Sequence, residues 1–98
     1  MSQPDEIDTT GMRRAPWRTP AGGPVYFSYD DPGSLLAVLA DNAEDALTDN
    51  ASVTLEFATT LLAESVQNTR ELQYLVRTLC EALSDALRVA ELRGERLP

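Results

Sequence analysis

The sequence predicts an all-α fold: a short helix and a long amphipathic helix form a helical hairpin, which assembles into an oligomeric bundle or coiled coil behind a mostly irregular N-terminal tail. Three observations predict it. Residues 1 to about 33 hold five of the six prolines and four of the five glycines, whereas residues 34 to 93 contain neither. A heptad pattern of apolar residues runs through the second half of the chain. The apolar face so defined is longer than one short helix can cover.

The tail comes first. Runs such as Arg18-Thr19-Pro20-Ala21-Gly22-Gly23-Pro24 do not sustain a helix or a central strand. Residues 1 to about 24 are therefore expected to be mobile, because they carry too little apolar surface to offset the entropy of ordering. Within the tail lies a compact aromatic patch, Val25-Tyr26-Phe27-Ser28-Tyr29.

The first helix is expected at about 34 to 48. Asp31-Pro32-Gly33-Ser34 offers a capped start, with aspartate or serine accepting from the first turn. Leu35, Leu36, Val38, Leu39, Ala43, Ala46 and Leu47 follow at helical spacing, with Asp41, Glu44 and Asp45 off that stripe. Thr48-Asp49-Asn50 is turn-prone and ends the pattern.

The second helix is expected at about 52 to 93. With Leu55 at heptad position a, the a series is Leu55, Leu62, Thr69, Val76, Leu83 and Ala90, and the d series is Ala58, Ser65, Leu72, Leu79, Ala86 and Arg93. Ser65, Asn68 and Thr69 interrupt this face as a polar belt, and Asn68 with Glu71 reads as a capping box. A continuous helix is the first expectation, since no glycine or proline enforces a turn there, and the belt then sets register. A break near Asn68, giving a three-helix bundle, is the alternative.

A helix over 34–48 is roughly 22 Å long and one over 52–93 roughly 62 Å. The first would cover only the N-terminal part of the second. Leu72, Val76, Leu79, Leu83 and Leu87 are thus expected to form a self-association interface, most simply a two-fold homodimer, or a higher homo-oligomer, built as a four-helix bundle.

Composition narrows function further. The chain has no histidine, and all eight of its cations are arginine. Imidazole general bases, histidine metal ligands, Schiff-base lysines and Walker-type phosphate loops are excluded. Catalytic, cofactor-binding and metal-ligating residues are accordingly all expected to be none. The formal net charge of −8 argues against nucleic-acid and anionic-membrane partners. Met1 to Asp8 is acidic without an apolar core, which reads as no secretory signal and a cytoplasmic location.

Other candidates carry two readings each. Trp17, Tyr26, Phe27 and Tyr29 form a candidate partner-binding tail, either anchoring on another protein or folding back to cap the bundle. Arg13, Arg14 and Arg18 belong to a linear motif, or they meet the acids of their own molecule. Asp41, Glu44, Asp45 and Asp49 are a solvated face, or a phosphate mimic aimed at a basic partner. Cys80 is expected as a small buried hydrophobe. The function expected is a non-catalytic, self-associating helical interaction module, such as an adaptor, scaffold or small regulatory subunit. Its alternative is an acidic inhibitor that mimics nucleic acid.

Overall fold

The computed structural model describes residues 11–28, 34–64 and 68–97. It opens with a β-hairpin of strands Met12–Arg18 (β1) and Pro24–Ser28 (β2), paired antiparallel with Arg13 opposite Phe27 and Arg14 opposite Tyr26. The tail is therefore not irregular throughout. Two features reconcile the strands with their prolines and glycines. The register slips between Arg14 and Arg18, so Pro16 sits in a bulge where no ladder N–H is required. The turn is closed by the Thr19 N–H donating to the Gly23 carbonyl (2.9 Å) and the Gly22 N–H donating to the Thr19 carbonyl (2.8 Å). Gly22 supplies the φ of +88° that this turn requires.

Two helices of nearly equal length follow, Leu35–Ala63 (α1) and Thr69–Glu95 (α2). Ser34 caps α1, its hydroxyl accepting from the Ala37 N–H at 3.2 Å; Asp31, Pro32 and Gly33 lie outside the described residues. The expected stop at residue 48 does not occur. Thr48 donates its hydroxyl to the Glu44 carbonyl (3.0 Å), and Thr54 does the same to Asn50 (2.8 Å). The Thr48 hydroxyl, which would favour a turn, is thus satisfied inside the helix.

The α1 helix ends at Ala63 and α2 begins at Thr69, so the continuous helix over 52–93 is corrected. Asn68 has extended backbone, and its side chain accepts from the Glu71 N–H at 2.9 Å, capping α2. The break expected as the alternative is real, but it yields two helices and not three, because 48–51 is helical. The α2 helix ends one residue beyond Gly94, with the Arg96 N–H bonded to the Arg93 carbonyl (3.2 Å).

The helices run antiparallel, and their mutual face is narrow. On α1 it is made by Ala40, Thr54 and Ala58, and on α2 by Leu75, Ala82 and Val89. These α2 residues recur every seven positions, but each lies one position before a member of the expected a series. The expected stripe of α1 is also displaced: Leu35, Leu36, Val38 and Leu39 are exposed, whereas Glu44 is buried. The larger aliphatic side chains are left on the flanks.

The β-hairpin packs on both helices through β1. Ala15 and Phe27 join Ala37 and Ala40 in a small core, with Trp17 and Val25 partly buried against it. This cluster sits where the start of α1 meets the end of α2. Of residues 1–24, expected to be mobile, 11–24 belong to the hairpin, with Arg13, Ala15 and Pro16 buried and the turn exposed, and residues 1–10 lie outside the described part.

Candidate interaction surface

Ion pairs fix the end of the molecule that carries the hairpin. Glu44, with only 1% of its side chain exposed, accepts four hydrogen bonds. Arg96 donates two, from Nη1 to Oε2 and from Nη2 to Oε1, both at 2.9 Å. Arg13 Nη2 and Arg93 Nε each donate one at 3.2 Å. Burial by itself pushes the Glu44 carboxyl pKa up. The hydrogen bonds from Arg96, Arg93 and Arg13, with the Arg96 charge, outweigh it and hold the pKa below the usual carboxylate value.

Other acids of this end are also paired. Asp41 pairs with Arg13 at 2.7 Å and Asp45 with Arg93 at 3.1 Å. Arg14 reaches Glu91 (2.9 Å) and Glu95 on α2. The guanidinium of Arg13 lies over the Phe27 ring, 5.5 Å from its centroid, a cation–π contact within a nearly buried site. Arg13 and Arg14 of the basic island thus meet acids of their own molecule, whereas Arg18 donates to the Gly22 carbonyl. The acidic cluster is not simply solvated, since Glu44 is buried and Asp41 and Asp45 are bonded to arginines.

The aromatic candidates separate. Phe27 is buried in the small core, Trp17 is half-buried beside it, and Tyr26 is exposed on β2. Tyr29 lies outside the described residues. Three of the four are therefore held by the hairpin, and its largest apolar groups face the helices.

The expected self-association residues lie on one side of α2. Leu72, Val76, Leu83 and Leu87 are 38%, 58%, 62% and 62% exposed, and Leu79 is half-buried between this stripe and α1. The physical reason differs from the expected one. The α1 helix is long enough to reach the whole of α2, but these side chains stand about a quarter turn away from the α1 contact. Exposure of Leu35, Leu36, Val38, Leu39, Val53, Leu55, Phe57 and Leu62 on α1 adds to the uncovered apolar surface. Cys80, expected to be buried, is exposed beside the stripe.

Pairing of the tail arginines with acids of their own chain was one of the two readings of the sequence, but the burial of Glu44 among Arg13, Arg93 and Arg96 was missed. The one available signal is that residues 34–64 contain six acids and no cation, an imbalance that arginines from other elements relieve. Among the described residues, no group of three or more His, Cys, Asp or Glu is placed to hold a metal ion. No helix among them is long and apolar enough to cross a membrane. No family model, curated protein or solved structure matches the chain.

Proposed function

We propose that the chain is a self-associating helical interaction module, acting as an adaptor, scaffold or small regulatory subunit and not as a catalyst. The observation that carries this reading is the exposed aliphatic stripe of Leu72, Val76, Leu83 and Leu87 on α2. An isolated chain would leave these side chains in water while burying a narrow face of Ala40, Thr54, Ala58, Leu75, Ala82 and Val89 between its helices. Contiguous apolar surface of this kind marks an interface in soluble proteins. Chains with so small a core commonly gain stability by association.

Mimicry of nucleic acid is the weaker reading, because Asp41, Glu44 and Asp45 are bonded to arginines of the same chain. Such acids offer a basic partner little unpaired charge. The two readings respond oppositely to salt, which screens charge contacts but strengthens apolar ones. Chains labelled separately with donor and acceptor dyes should show energy transfer on mixing at micromolar concentration. The transfer should hold or rise as salt is increased. No transfer at any salt concentration would contradict self-association.

A further inference from the structure

The exposed stripe of α2 carries a more specific arrangement, which rests on the self-association proposed above. We infer that two copies pair through α2 in antiparallel orientation, about a two-fold axis that passes between Leu79 and Cys80.

Spacing is the first argument. The intervals separating Leu72, Val76, Leu83 and Leu87 read the same in either direction along the chain. An antiparallel copy centred between Leu79 and Cys80 therefore sets Leu72 level with Leu87 of the second copy and Val76 level with its Leu83. A two-fold contact must be self-complementary in this way, each residue meeting the one that reciprocates it. The four side chains fall within about 60° of one another around the helix, the width of a packing seam. Gln73, Cys80 and Ser84, all exposed, border the stripe on its outer side and carry no ionised carboxylate or guanidinium.

Charge decides both the helix and its direction. The α1 helix has no arginine or lysine of its own, and beyond the acids that Arg13, Arg93 and Arg96 hold it carries Asp49 and Glu56, so two α1 helices placed together offer each other no opposite charge. The α2 helix carries Arg70, Arg77, Arg88 and Arg93 among its acids. A parallel α2 pair would bring each charge level with its own copy, Arg77 beside Arg77. The antiparallel pair sets Arg77 level with Ala82 of the second copy, one residue from its Glu81, and Arg70 level with its Val89, two residues from its Glu91, so opposite charges lie near each other. Pairing α1 of one chain with α2 of the next is heterologous, and such a contact propagates into open chains unless its rotation closes.

Directed cross-linking of the full chain tests this register. In a Cys80→Ser background, one preparation carries Leu72→Cys and a second carries Leu87→Cys. Mixed and mildly oxidised, they should accumulate the mixed disulfide between the two, while each alone should form little or none. The mass of each variant is measured before oxidation, and its helicity is checked by circular dichroism. A dimeric mass with Leu72→Cys cross-linking to itself would overturn the antiparallel orientation. A dimeric mass with no cross-link in any mixture would overturn the use of this face and leave self-association standing. A monomeric mass for the wild-type chain would remove both.

Discussion

Arg96 grips Glu44 with both of its terminal nitrogens, across 52 residues of sequence and at 2.9 Å on each oxygen. That bidentate contact, joined by Arg13 from β1 and Arg93 from α2, ties three elements to one buried carboxylate. Glu44 thus joins the Ala15–Phe27 core and the Arg14 pairs in attaching the hairpin to the helices.

Replacing it should be costly. Glu44→Gln keeps the shape of the side chain but leaves Arg13, Arg93 and Arg96 clustered without their shared anion. Removing one partner of a buried ion pair costs on the order of 3 kcal/mol, a large part of the stability of a small domain. Urea denaturation should show the midpoint falling by a corresponding amount. An unchanged midpoint would mean that the cluster contributes nothing net.

Acid should act on the same group. The Glu44 pKa is lowered in the folded chain, so the unfolded chain takes up its proton first as pH falls. The stabilisation is fully present above the ordinary carboxylate value of ~4.3 and is lost as pH drops through the lower, folded value. Thermal unfolding followed between neutral and acid pH should show wild type losing more stability than Glu44→Gln over that window. Parallel curves for the two proteins would contradict the assignment.

The break between the helices rests on Asn68. Its side chain satisfies the Glu71 N–H at 2.9 Å, and Asn68→Ala should cost about 1 kcal/mol as a lost N-cap. The effect should appear as faster amide exchange in the first turn of α2, with the oligomeric mass unchanged. Because no glycine or proline stands here, the position is a cap by side chain alone.

Leu83 separates a covered stripe from an uncovered one. It is 62% exposed in the isolated chain, so Leu83→Asp would shift stability by no more than about 0.5 kcal/mol if water were its native neighbour. Against a second copy the same charge is buried without a partner and costs several kcal/mol. The variant should therefore fall to the monomeric mass and unfold at lower temperature than wild type. Wild-type mass and stability in Leu83→Asp would place the interface elsewhere.

Much of the helical body was legible because proline and glycine are absent from residues 34 to 93, which leaves helix as the cheapest way to satisfy the backbone. The position of the break was harder to read. Thr48-Asp49-Asn50 and Ser65-to-Thr69 look alike as polar interruptions, and what separates them is side-chain bonding. Thr48 bonds back into its own helix, whereas Asn68 turns to cap the next one. The hairpin was obscured by Pro16, which a bulge accommodates, and the role of Glu44 was obscured by its acidic neighbours. Helical periodicity alone could not tell which face of α2 meets α1, since Leu75, Ala82 and Val89 repeat with the same period as Val76, Leu83 and Ala90. Only packing against alanines of α1 selects the first set and leaves the second beside it.

The claim that a second copy covers α2 is tested most directly by mass. Sedimentation equilibrium of the wild-type chain at micromolar concentration and neutral pH should return twice the chain mass of 10.7 kDa, shifting toward monomer only on dilution. A single species of 10.7 kDa across the whole range of concentration and salt would contradict it.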